Sequence, residues 1–190
     1  ASIRQVCRER LDEERARVAR KLLGWVIVQL ERTAPDRYAG LQVRELVFRN
    51  FLRLYQYAKL SNDPAILEWV IRNKELQRRR VALTGHLERP GSRYELQEML
   101  SLLAELLGRL VDSGSCDDLR DELGWAQSNL ALNQLKLGLL PQAEADIGRA
   151  IELFEVLCSQ DAVDYWVVRL HRHQLLEILP AVTANLFGGP

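Results

Sequence analysis

The sequence predicts an all-α fold, a compact bundle of six or seven helices. Three observations predict it. Apolar residues recur at helical spacing along most of the chain. No stretch of useful length alternates apolar and polar residues in the two-residue period of a strand. The breaks between the periodic segments carry proline, glycine and helix-capping residues. A chain of 190 residues suits one domain, or two small subdomains, here 1–111 and 112–190. At that size the core needs no metal or disulfide to stabilise it.

The first helix spans about Ser2 to Arg32, with Leu11, Val18, Leu22 and Trp25 on one stripe. Pro35 ends it, because the residue before a proline avoids helical geometry. The second runs from about Leu41 to Leu60 on Leu46, Val47, Phe51, Leu54, Tyr55 and Ala58. "SNDP" restarts the chain: Asp63 can accept the first amides of a third helix and Pro64 fits its first turn. That helix is expected to run through Arg80 and fray near Gly85. "ERPGSRYE" is a loop, and Ser92 with Glu95 has capping-box spacing before a fourth, leucine-rich helix. "DSGSCDD" breaks that helix, and Ser115 with Asp118 can cap a fifth. The last pattern covers about Ala162 to Leu179 and is expected to stop at Pro180.

Between these lies "NLALNQLKLGLLPQAEADIGRAIELF", Asn129 to Phe154. A helix from about Asp118 to Leu137 meets a turn at Gly138 and a helix from about Pro141 to Leu157. Two helices joined this closely are antiparallel neighbours, and their axes approach only where side chains are small. Ala131, Ala143 and Ala150 supply that clearance, and Gly138 suits the left-handed helix end. Asn129, Leu130, Ala131, Gly138, Ala143, Ala150 and Ile151 resemble a tetratricopeptide repeat, in which such small residues set the packing of two helices. The usual first-helix aromatic is replaced by Gln134, the aromatic after the turn by Leu140 and the closing proline by Glu155. No second copy occurs at the family's period, so neighbouring helices must cover the hairpin.

A second resemblance covers roughly Arg15 to Val111. Asn50, the Asp63-Pro64 restart, Trp69, and Arg79-Arg80 before a loop and a leucine-rich helix make this region similar to the globin-like N-terminal domains of RsbR-type bacterial stress regulators. The resemblance implies a haem-free domain that passes a signal to a partner. A haem site needs a histidine on a helix facing a pocket, and this region holds only His86, beside an expected break.

Candidate chemistry has local explanations. Asp117, Asp118 and Asp121 spell the D-D-x-x-D of helical terpenoid synthases, but acidic residues at a helix start also stabilise it through the dipole. Glu95 and Glu98 with Asp118 and Asp121 faintly match helical nucleotide pyrophosphohydrolases, yet the capping box already uses Glu95. His171 and His173 lie about 200° apart around a helix and cannot readily share one metal. There is no phosphate-binding glycine loop. No cofactor and no metal are expected.

Charge is uneven. Residues 1–90 hold 19 Arg and Lys against 11 Asp and Glu, a net of +8, while residues 91–190 hold 7 against 15, a net of −8. The densest basic run is "RNKELQRRR", with Arg78, Arg79 and Arg80 offered as interface residues beside Leu11, Val18, Leu22 and Trp25. Acids interrupt the run and no nucleic-acid motif accompanies it, so nucleic acid is not the expected partner. No apolar run reaches the length of a membrane span. The charged start is unlike a signal peptide. Cys7, Cys116 and Cys158 are odd in number and far apart, which suits a reducing cytoplasm. The expected function is a non-catalytic interaction or regulatory module that binds a protein partner, or a second copy, through a helical surface. The alternative is a sensory domain holding a small apolar ligand between helices, and third a metal-dependent helical enzyme.

Overall fold

The computed structural model describes residues 2–114, 116–159 and 166–187, with side chains in the last segment described for 172–184. The protein is all-α: among the described residues there are eight α-helices and no strand. Contacts divide the chain into two units, Ala1–Pro90 and Gly91–Pro190, rather than at residue 111, because the leucine-rich helix packs on the helix that follows it.

In the first unit, α1 (Ile3–Glu31) packs on α2 (Leu41–Ser61), with a 3₁₀ turn at Pro35–Ala39 between them. Asn62 ends α2 in the left-handed conformation, φ 50°. Asp63 then accepts the Ala65 amide at 3.0 Å and Pro64 opens α3 (Pro64–Arg72), as expected. The third helix does not run on to Arg80. Asn73 interrupts it, accepting the Leu76 amide at 3.0 Å and starting α4 (Lys74–Leu87). The Gln77 side chain donates to the Ile71 carbonyl at 2.9 Å and spans the break. This split raises the expected six or seven helices to eight. Nor does α4 fray at Gly85, since Leu83 and Leu87 are buried beyond the preceding turn and packing holds the helix.

In the second unit, α5 (Arg93–Asp112) follows a 3₁₀ turn at Pro90–Ser92. The expected capping box is not formed. Ser92 has ψ 16°, outside the extended region an N-cap needs, and its side chain makes no capping bond. Ser115 lies outside the described residues. Asp117–Leu119 form a 3₁₀ turn, so α6 begins later than expected, at Arg120, and runs to Leu137.

Gly138 ends α6 at φ 74°, and the Leu139 amide reaches back to the Gln134 carbonyl at 2.9 Å. α7 (Leu140–Ser159) packs on α6 and on α8 (Trp166–Phe187). Ala131, Ala143 and Ala150 are all fully buried. Gln134 donates to Asp146 at 2.8 Å, a buried polar bridge between α6 and α7. Replacing Ala143 with phenylalanine should cost roughly 1–3 kcal/mol by overpacking. An unchanged melting temperature would show that the α6–α7 approach is not close at this point.

Pro180 lies inside α8 and does not end it. A proline removes one backbone bond, but Leu175 and Val182 on either side of it are buried, and Thr183 donates to Glu144 at 3.0 Å. Packing thus carries the helix past its weak point. The segment expected to start α8 at Ala162, His171's side chain and the closing glycines lie outside the described residues.

Candidate interaction surface

The first helix carries two apolar stripes. Ala19, Leu23, Val26 and Leu30 are buried in the first unit. The stripe identified from sequence is a different one, and it stays in solvent: Leu11 is 51% exposed, Val18 49%, Leu22 36% and Trp25 52%. Val18 and Ala19 are sequence neighbours, so the stripes lie about 100° apart around the axis. The sequence reading missed the buried stripe because "LLGWVIVQL" is apolar nearly all round, and heptad spacing fits either face.

The helix also outruns its support. Its 29 residues oppose 21 in α2, about 44 Å against about 32 Å. Every residue from Ser2 to Arg15 is exposed. An isolated helical segment of that length is marginal in water. Beside the exposed stripe a groove of about 370 Å³ runs between α1 and α2, lined by Glu14, Arg15, Val18, Ala19, Leu22, Tyr57 and Leu60. Tyr57 and Leu60 near the end of α2 thus sit beside Val18 and Leu22 in the middle of α1, the order of an antiparallel pair. Most of this lining is apolar, with Glu14 and Arg15 at one end.

The basic run does not form a patch. Successive residues of α4 point about 100° apart, and the three arginines separate accordingly. Arg78 is exposed and pairs with Glu75 at 2.9 Å. Arg79 is only 7% exposed and does not belong to any surface. It donates to the carbonyls of Leu30, Glu31 and Thr33 and to the Glu75 carboxylate. Its place is structural: a cation closing the C-terminal end of α1, where free carbonyls and the helix dipole favour positive charge. Arg80 is half-buried. Hydrogen bonds from Arg78, and then Arg79, hold Glu75 well below the usual carboxylate range, at about 2. Burial raises the Tyr38 phenol next to this cluster, against the opposing pull of Arg79.

The acidic run is used locally. Asp117 accepts from Arg120 at 2.9 Å, and Asp121 accepts the Glu122 amide at 2.7 Å. Among the described residues, no group of three His, Cys, Asp or Glu side chains is placed to hold a metal. A second groove, about 380 Å³, lies in the other unit between α5, α6 and α7, with Asp112, Gln127, Arg149 and Glu152 among its lining. The α1 face, where a line of exposed apolar side chains borders its groove, is the stronger candidate. Among the described residues, no helix is long and apolar enough to cross a membrane. No family model, curated protein or solved structure matches this chain.

Proposed function

We propose that this chain is a non-catalytic protein-interaction module that binds its partner along the exposed face of α1 and the groove beside it. One observation carries the reading: α1 satisfies the core with one apolar stripe and holds a second, Leu11, Val18, Leu22 and Trp25, in water. Scattered surface apolar residues are ordinary, whereas a contiguous line of them marks an interaction site. The α6–α7 hairpin, with its tetratricopeptide-like small residues, supports a scaffold role in the same direction. A second reading, a small apolar ligand between helices, draws on the groove itself, whose volume of about 370 Å³ falls within the range of ligand sites.

The test is a photo-crosslinking residue placed at Val18 or, as a control about 200° around the helix, at Arg20. Irradiation in cells should give a covalent protein adduct from Val18 and little from Arg20. Equal products at both positions, or none from Val18, would overturn the interaction reading. A labelled small molecule retained only by a chain with Leu60 intact would favour the second.

A further inference from the structure

We infer that the occupant of this surface is a second copy of the chain, its α1 lying antiparallel across the first. The inference rests on the interaction reading above and names its partner. The seam of α1 repeats every seven residues: Leu11, Val18 and Trp25 on one side, and Arg8, Arg15 and Leu22 on the other. A parallel pairing would set Arg8 against Arg8 and Arg15 against Arg15 in the seam, two like-charge layers. An antiparallel pairing that places Leu11 against Leu22 of the second copy removes both. Arg15 then faces Val18 of the second copy, and Arg8 faces Trp25 of the second copy, where a guanidinium over an indole is attractive.

The flanking charges agree with that direction. From Asp12 on, the acids Asp12, Glu13 and Glu14 precede the bases Arg15, Arg17, Arg20 and Lys21, while Glu9 lies between Arg8 and Arg10. Turning one helix end for end lays the acidic block of each copy along the basic block of the other. Glu14 meets Lys21 of the second copy beside the seam, twice by symmetry, as a two-fold interface requires. Some of these groups already pair within the helix, Arg15 with Asp12 at 3.5 Å and Arg17 with Glu14 at 2.6 Å. Their side chains are about 60% exposed, and such pairs contribute little, so exchanging partners costs little.

The overhang gives the pairing its reach. The overlap from Arg8 to Trp25 is about 27 Å. It lays the exposed N-terminal half of each α1 along the other copy's groove, so that Leu11 lies against Leu22, Tyr57 and Leu60. The groove and the overhang, unexplained in a single copy, then satisfy each other.

Sedimentation equilibrium on the purified full chain, from micromolar to about 100 µM, tests the inference. A dimer is expected at low salt, weakening at 1 M salt as the Debye length falls to about 3 Å. Leu22→Asp, at an exposed position, should weaken it about 100-fold or more, since each dimer loses two buried leucines. Lys21→Glu should weaken it about tenfold, and adding Glu14→Lys to Lys21→Glu should restore it. In a Cys7→Ser background, Leu11→Cys with Leu22→Cys should form a covalent dimer on oxidation, whereas Leu11→Cys alone should not. A monomer throughout, a dimer indifferent to Leu22→Asp and Lys21→Glu, or cross-linking by Leu11→Cys alone would overturn the inference. A monomeric chain that still gives a Val18 adduct with a different protein would leave the interaction reading standing and remove only the second copy.

Discussion

Replacing Arg79 with alanine should lower the stability of the first unit by about 3 kcal/mol. The expectation follows from what the side chain does. Arg79 donates to three carbonyls at the end of α1, from Leu30, Glu31 and Thr33, and shares the last with the Tyr38 hydroxyl. Leu30 is fully buried, so water does not readily replace the guanidinium there. Removal also empties the space of a large side chain. Arg79→Lys should recover less than half of the loss, because an ammonium is a single point and cannot reproduce the planar fork. For a unit of about 90 residues the alanine variant should melt more than about 12 °C lower, and hydrogen exchange should speed first in the last turn of α1. Equal protection there in both proteins would show that the guanidinium is incidental. Acid gives a second arm. Hydrogen bonds from Arg78 and Arg79 lower Glu75 from 4.5 to about 2 in the folded state. Its contribution is therefore fully present above about pH 4.5 and is lost as pH falls through about 2. Glu75→Gln should flatten that part of the acid stability profile and leave the neutral-to-alkaline limb unchanged.

What the sequence made legible, and what it hid, follows from the range of the forces involved. Helix existence was legible because periodicity and breakers are local: Asp63 with Pro64, and Gly138 in the left-handed conformation, lie where short-range chemistry puts them. The burial of Ala131, Ala143 and Ala150 was legible too, since a short turn between helices constrains which faces meet. Failures came where packing overrode local signals. Pro180 reads as a stop, yet buried neighbours on either side carry α8 through it. Asn73 is a different kind of miss: it is a good N-cap followed by Glu75 in the first turn, and the apolar spacing of Leu67, Val70 and Ile71 breaks at Lys74, so a local signal was present and went unread. The arginine run is the sharpest case. Arg78, Arg79 and Arg80 look equivalent in sequence, and only the distant end of α1, 46 to 49 residues away, decides that Arg79 is buried. The α1 stripe shows the reverse. Its residues were legible as an apolar stripe, but whether that stripe is buried in its own core or left in solvent depended on a second stripe one residue out of phase.

That last lesson, that one neighbour decides a residue's value, predicts the behaviour of Gly124. A glycine within a helix ordinarily gains about 1 kcal/mol when replaced by alanine. Here the sign should reverse. A Cβ on Gly124 would lie 2.5 Å from Cε1 of Phe154, 3.0 Å from Cζ and 3.1 Å from Cδ1. The ring has nowhere to go: Phe154 is fully buried in α7 and packs edge-on against Trp125 at 5.9 Å between centroids. Either α6 and α7 move apart or the ring leaves its preferred rotamer, and Gly124→Ala should cost about 2 kcal/mol net. Phe154→Leu removes the ring edge that a Cβ would strike. On its own it should destabilise by about 1–2 kcal/mol through lost burial and a small cavity. Introduced together, the two changes should cost little more than Phe154→Leu alone, a favourable coupling of about 1.5–2 kcal/mol. Urea unfolding of the parent, both single variants and the double variant measures that coupling directly. Strict additivity would mean that Gly124 is not held small by the Phe154 ring, and the close approach of α6 and α7 at this level would then need another cause.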